Sequence, residues 1–428
     1  MPTAEAPSSI HLVTASSSDS NEYHLLQLPD EVLAEVEEKQ RRQTTAKRKG
    51  RDDEGDAEEE EEGHLLTING RHGDEAVICT RSRTYALRQI TQSNTLLLCS
   101  LPSLDPIDES GGVVVRSNVS DMLEMVPVMP RLQRIGTLLH ESRFEGEEEE
   151  ETQVKARLYT PTEVRSIVQT STHELQTGLD SHHVVLLDGF YRMVSRDYLF
   201  LALESLLNHV DLHAYQPTSI PLTATLEALA AEHEIRNEVA YALLTRWFGK
   251  PLSEPPAHVA LDSDAIVRFL GKRLLAVDAR QPVLLEEWQD KWKKSVGQTF
   301  AEHVDLSKIK GEFLLFPTPP SQPTSAQPLR IQYYPKDTLP LDPAQRFQDL
   351  FLTRSQWLLD DLLPYLDDVA VDKKKRDALL LKFARTNRIK VPAAPPVEST
   401  KPPAKKSKVT SQAIEMKELT LYSARVRC

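Results

Sequence analysis

The stretch HHVVLLDGFYRMVS, beginning at His182, sets the tightest limit on how this chain folds. Two strand-like runs flank Asp188-Gly189, a pair suited to a type I′ turn because both central positions need positive φ. A two-stranded hairpin is therefore predicted inside a region whose apolar spacing is otherwise helical. Just upstream, Thr160, Pro161 and Glu163 supply an N-cap, a first-turn proline and the reciprocal acid of a capping box. Ser171 and Glu174 repeat that box eleven residues later. Before both, PRLQRIGTLLHES spaces Leu132, Ile135, Leu138 and Leu139 for one helix face. One helix, two short capped helices joined by a turn, then a hairpin is the order of a winged-helix domain, with the hairpin as its wing.

That order recurs. DYLFLALESLLNHV from Asp197 is a helix, and TATLEALAAEHEI with RNEVAYALLTRWFG forms another helix pair. DSDAIVRFLGKRLLAV and LEEWQDKWKKSV follow, the second with Trp288 and Trp292 one turn apart. Asp305 caps a short helix leading to EFLLF, and the alternating LRIQYY comes after the loop PTPPSQPTSAQP. The last elements are DPAQRFQDLFLTRSQWLLDDLLPYLDD and DKKKRDALLLKFARTNRIKV. The pattern predicts at least three winged-helix domains, over 129–215, 216–335 and 336–391. Beyond Pro392 the composition turns to Pro, Lys and Ser, which predicts a disordered basic tail over 392–428.

Residues 1–128 are strand-like instead. LLTING from Leu65, AVICT from Ala76, TYALRQI from Thr84 and NTLLLCS from Asn94 are short runs with polar breaks. Tyr85 and Leu87 share a strand face. Leu96, Leu97 and Leu98 lie in the unbroken apolar run LLLC, which predicts a strand covered on both faces. So few strands make only a partial β-barrel. Either another chain completes it through Tyr85, Leu87, Leu96, Leu97 and Leu98, or it closes on itself with HLLQL and VVVRSNV. The fold class predicted for all 428 residues is α+β in several domains.

Net charge is −13, but the acid is concentrated: nine of eleven residues over 52–62, and six glutamates in seven over 145–151. Such runs repel themselves and stay solvated, so they read as disordered insertions, about 40–63 and 145–151. Against this background, 371–391 carries eight Lys or Arg and two Asp, a net +6. On a helix Lys374, Lys375, Lys382 and Arg385 share one arc, with Leu379, Leu380 and Phe383 opposite and Leu381 misplaced toward the basic side. The arc fits phosphate contact by the last helix of a winged-helix domain, and it fits a merely solvated face equally. AKRKGR at 46–51 and KPPAKKSK at 401–408 have nuclear-import composition.

Catalytic signatures are missing. Gly249-Lys250 is followed by Pro251 and Gly271-Lys272 by Arg273, so neither completes a phosphate loop. GxSxG and HExxH do not occur. His209 and His213 have the i,i+4 spacing of zinc ligands but no third ligand at a diagnostic spacing. No enzyme, metal or cofactor is expected. There is no apolar run of membrane-spanning length and no secretory leader. Cys79, Cys99 and Cys428 make no disulfide framework, which fits a reduced intracellular setting.

The blocks LLTINGRHGDEAVICTRSRTYALRQITQSNTLLL, LDGFYRMVSRDYLFLALESLLNHV, LEEWQDKWKKSV and RFQDLFLTRSQWLLDDLLPYL resemble the sister-chromatid-cohesion subunit Dcc of the alternative replication factor C clamp loader. The resemblance runs from about Leu65 to Val391. It implies an N-terminal β-module shared with the large ATPase subunit and a small subunit, followed by three winged-helix domains. It also implies docking on the catalytic subunit of DNA polymerase epsilon, DNA contact, and loading or unloading of PCNA in the nucleus, at chromatin and replication forks. The acidic insertions and lysine-rich tail depart from the family pattern and receive no role. A stand-alone winged-helix transcription regulator is the competing reading. It calls for basic recognition helices in several domains, whereas THELQTGLDSHH has no Lys or Arg and contains Glu174 and Asp180.

Overall fold

The computed structural model describes residues 12–14, 23–48, 66–100, 113–150, 157–317, 328–392 and 416–425. The chain divides into two compact units: Met1–Arg143 with Val154–Met193, and Phe144–Gln153 with Val194–Cys428. Both mix helices with small sheets.

The first unit begins with β1 (Leu12–Thr14), β2 (Leu25–Gln27) and helix α1 (Asp30–Arg48). Then come β3 (Thr67–Asn69), β4 (Val77–Cys79), β5 (Thr84–Ser100) and β6 (Val113–Pro127). They form one sheet in the order β1-β6-β5-β4-β3, with β2 also on β6. Strands β1 and β2 join β6 in parallel, which a two-residue turn cannot achieve; the remaining neighbours are antiparallel. HLLQL and VVVRSNV thus both supply strands, yet among the described residues the sheet stays open. Val32 of α1 buries itself on the sheet with Ile78, Tyr85 and Met125.

Two expectations for this region are corrected. The polar break between TYALRQI and NTLLLCS does not end a strand. Both runs belong to β5, and a register shift between Thr91 and Leu96 absorbs the polar residues as a bulge. Helix α1 continues to Arg48, so the segment expected to be disordered from about 40 is helical up to that residue. The rest of that insertion, 49–63, lies outside the described residues.

The first unit ends in a helical module. Helix α2 (Gln133–Leu138) precedes a one-turn acidic helix, α3 (Glu147–Glu150), which belongs to the second unit. Then α4 (Pro161–Val168) and α5 (Thr172–Ser181) lead to the hairpin of β7 (Val184–Leu187) and β8 (Phe190–Met193). Asp188 and Gly189 have φ of 51° and 86°, as the I′ turn requires. Tyr159 bridges Tyr191 of β8, so a strand-like residue before α4 flanks the second hairpin strand. The core is Ile135, Leu139, Val164, Val168, Leu175 and Leu179 from the three helices, with Val184.

The second unit repeats this plan three times. The first repeat is α6 (Arg196–Leu212), β9 (Ile220–Pro221), α7 (Leu222–His233), α8 (Asn237–Ala242) continued by a π turn at Leu243–Trp247, β10 (Gly249–Pro251) and β11 (His258–Leu261). The next is α9 (Ser263–Asp278), β12 (Val283–Leu284), α10 (Leu285–Val296), 3₁₀ turns at Ala301–His303 and Leu306–Ile309, β13 (Phe313–Pro317) and β14 (Leu329–Tyr333). The last is α11 (Pro343–Thr353), β15 (Trp357–Leu358), α12 (Leu359–Leu362), α13 (Lys373–Phe383), β16 (Ala384–Pro392) and β17 (Met416–Ala424). Each three-stranded sheet has the same order: the short strand before the second helix, then the last hairpin strand, then the first.

With the module of the first unit this makes four repeats of one topology, where the sequence pattern divided 129–391 into three. The unit boundary after Met193 also places α6 at the start of a new repeat, not at the end of a domain over 129–215. Two further corrections concern charged segments. Within the acidic run 145–151, Glu147–Glu150 is helical and Glu147 pairs with Arg236, while Phe144 sits buried with its ring 5.1 Å from that of Tyr198. In the expected tail, Met416–Ala424 returns as the middle strand of the last sheet, in register with Ala384–Pro392 along its whole length. Residues 393–415, including the lysine cluster at 401–408, lie outside the described residues.

Candidate interaction surfaces

The first surface is the β5–β6 ribbon. Strand β4 pairs with β5 only over Thr84–Ala86, so from Leu87 to Ser100 that edge of β5 has no strand beside it among the described residues. An unpaired edge presents backbone donors and acceptors ready to take another strand. Leu96 and Leu97 are 36% and 47% exposed, and Leu98 is half-buried. The expectation of a strand covered on both faces is therefore not met within this chain. Leu97 faces Asn118 and Leu98 faces Ser117 across the ribbon, both polar partners, while Leu96 faces the buried Val119. Tyr85 and Leu87 differ. Tyr85 is buried in the sheet's own core under α1 and is not free for a partner, whereas Leu87 packs on that core only half-buried. Burial pushes the Tyr85 phenol above its ordinary pKa.

The root of this sheet is locked to the first helical module. Asp74 accepts two hydrogen bonds from Arg134 of α2, both 3.1 Å, and this pairing holds its carboxyl below the usual carboxylate range. Glu174 does more than close a capping box. Ser171 Oγ accepts from the Glu174 N–H as predicted, but the carboxylate does not reach back to the cap's backbone. Instead its Oε2 accepts from Thr84 Oγ1 at 2.6 Å, Ser171 Oγ at 2.7 Å and Thr170 Oγ1 at 3.1 Å. Thr84 in turn accepts from the Ser171 N–H at 2.9 Å, and the His173 N–H reaches Arg81 O at 3.2 Å. The N-terminal end of α5 is thus occupied by the sheet. The Thr160 cap has the full box, and its backbone N–H holds the Glu163 carboxyl below its ordinary pKa.

The second surface is on the last repeat. Helix α13 starts at Asp372, whose carboxylate accepts from the Lys375 N–H at 2.6 Å, and it ends at Phe383. Lys374, Lys375 and Lys382 are all exposed on it. Arg385 is exposed too, but it lies on β16, so it does not share their helical arc; β structure begins two residues earlier than the charge pattern suggested. Lys373 and Arg388, in the same basic stretch, are also exposed and were not singled out from sequence. Leu380 fixes the inward face. The scaffold beneath is rigid. Buried Arg346 pairs with Asp368 and donates to the carbonyls of Pro340, Tyr365 and Leu339, which satisfies every arm of its guanidinium. Trp357 donates to Leu350 O and Arg354 O.

The third helical position differs among the repeats. On α8, Glu238 and Tyr241 are exposed beside Arg246 of the π turn, and the next repeat has only short 3₁₀ turns there. His209 and His213 do meet, with rings 4.4 Å apart and Tyr215 stacked on His213. His209 is buried, and desolvation lowers its pKa. Among the described residues no three His, Cys, Asp or Glu side chains are grouped to hold a metal ion, and no helix is long and apolar enough to cross a membrane.

The family model for sister chromatid cohesion protein Dcc1 matches residues 23–366. The sister chromatid cohesion protein DCC1 of Xenopus laevis is 28% identical over 389 residues, 89% of this chain and 90% of the relative. That of Danio rerio is 30% identical, covering 76% and 82% of the two chains. That of Saccharomyces cerevisiae is 23% identical, covering 74% and 85%. With most of its length matched by the family model, this chain belongs to the sister chromatid cohesion protein Dcc1 family.

Proposed function

We propose that this chain is a non-catalytic subunit of an alternative replication factor C-like clamp loader that acts in sister chromatid cohesion. In this reading the open sheet is completed by the large ATPase subunit and the small subunit. The four repeats are winged-helix domains, a class that fits their shared strand order. They bridge the assembly to DNA polymerase epsilon and to DNA, and the complex loads or unloads PCNA in the nucleus, at chromatin and replication forks.

The observation that carries the proposal is the β5–β6 ribbon, with two exposed leucines beside an unpaired edge. A strand left in that state invites another chain. The helices in the reading position favour an adaptor over a stand-alone regulator. The end of α5 is taken by Thr84 and Arg81, and the third repeat has only 3₁₀ turns there. Among the described helices in the reading position, α13 alone presents a cluster of exposed lysines, so DNA contact is assigned to Lys374, Lys375 and Lys382, with Arg385 beside them on β16.

The test is affinity purification of the full chain from nuclear extract, followed by mass spectrometry, for wild type and Leu97→Asp. The wild type is expected to recover the large ATPase subunit and the small subunit together. The variant should keep the wild-type circular dichroism and melting curve while recovery falls at least tenfold, because a charge at the centre of a buried interface costs several kcal/mol. A folded variant that retains both partners would reject this interface. A wild type that recovers neither would favour the stand-alone regulator.

A further inference from the structure

Leu381 is 73% exposed within the most basic of the described helices, so its side chain reaches solvent and not the core of its repeat. At about 100° per residue, Leu379, Leu380 and Phe383 define the inward direction of α13, and each is buried or half-buried. The outward crest is formed by Lys374, Ala378 and Leu381, all exposed. Lys373 lies on one flank of the crest, and Lys375 and Lys382 on the other, again all exposed. Exposed Asp377 lies between Lys373 and the crest.

Lysines on both flanks of a crest carrying an alanine and a leucine suit a helix seated in a groove. Its sides meet the two rows of phosphates and its crest meets base edges. Asp377 fits that placement, since an acceptor there pairs with a base amino group and repels a phosphate. The apolar feature on the floor of the major groove is the thymine C5-methyl group, which small and apolar side chains contact. We infer that Leu381 is a specificity-determining residue of α13 that contacts thymine methyl groups in duplex DNA. This rests on the proposed DNA contact of the same helix.

The test measures binding of the full chain to a short A·T-rich duplex and to the same duplex with every thymidine replaced by deoxyuridine, which removes only the methyl groups. The proteins compared are wild type, Leu381→Ser, and a variant combining Lys374→Glu, Lys375→Glu and Lys382→Glu. Wild type is expected to bind the uracil duplex about fourfold more weakly per contacted methyl, the effect of one buried methyl group. Leu381→Ser should bind both duplexes at the weaker level, with an unchanged melting temperature because the side chain is exposed. The lysine variant should lose affinity for both and show a shallower salt dependence. Equal wild-type binding to both duplexes, with the lysine variant still impaired, would overturn the role of Leu381 and leave the DNA contact standing. A lysine variant that binds like wild type would overturn both. Unchanged DNA binding by Leu381→Ser with loss of a co-purifying protein would assign the crest to protein contact and overturn the inference.

Discussion

Thr84 shows how much one side chain holds in this protein. Its buried hydroxyl donates to Glu174 and accepts from the Ser171 N–H, so it closes the link between the sheet and the first helical module. Removing it strands a buried backbone donor and takes one of three hydroxyls from a carboxylate. Thr84→Val, nearly the same in shape, is expected to lower stability of the first unit by about 1–3 kcal/mol, the usual cost of a stranded buried polar group. Urea unfolding at neutral pH measures it, and Glu174→Gln should overlap with Thr84→Val instead of adding to it, because both break one network.

Among elements, the four repeats share a topology but differ in how their helices pack. Helices α9 and α10 approach closely at Gly271, where an added Cβ would lie 2.6 Å from the Trp292 ring. Trp292 has no room to yield: it is fully buried and its Nε1 donates to Val267 O at 3.0 Å. Gly271→Ala is therefore expected to destabilise the second unit by about 1–3 kcal/mol despite alanine's better helix propensity, because overpacking outweighs propensity here. A higher melting temperature in this variant would show that the two helices separate freely. The pairing of β5 with β6 also tolerates an irregularity: the ladder breaks after Thr91↔Asp121 and resumes at Leu96↔Val119, so one strand spans both apolar runs.

For the whole molecule, the chain end matters more than its composition suggests. Strand β17 lies between β15 and β16, and Tyr422 and Ala424 pack against the core of the last repeat. Ending the chain at residue 415 would remove eleven register pairs, nine with β16 and two with β15, and the middle of that sheet. At about 1 kcal/mol net per ladder hydrogen bond, the loss approaches the stability of a whole domain. The truncated chain is expected to be cut by protease within 342–392, while the repeats before it stay protected. Persistent protection of α13 in the truncated chain would mean the repeat folds without its last strand.

Much of this was legible in sequence wherever a signal was local. The Asp188-Gly189 turn, the Thr160 capping box and the helical spacing of Ile135 and Leu139 each depend on residues a few positions apart, and each appears in the structure. The exposed lysines of α13 lie where the charge pattern put them, whereas Leu96 and Leu97, expected in a strand covered on both faces, are exposed in this chain. What the sequence could not decide was long-range pairing. Glu174 had a nearby backbone partner on paper, but a threonine ninety residues away took its place. Met416–Ala424 resembled the end of a lysine-rich tail, yet it fills the centre of a sheet because β15 and β16 together leave a strand-wide gap. Burial of Tyr85 beside exposed Leu97, two residues of one strand, was set by where α1 lies over the sheet. Local chemistry fixes turns and helix ends, whereas the energy of contacts between distant segments appears only when the chain has closed on itself.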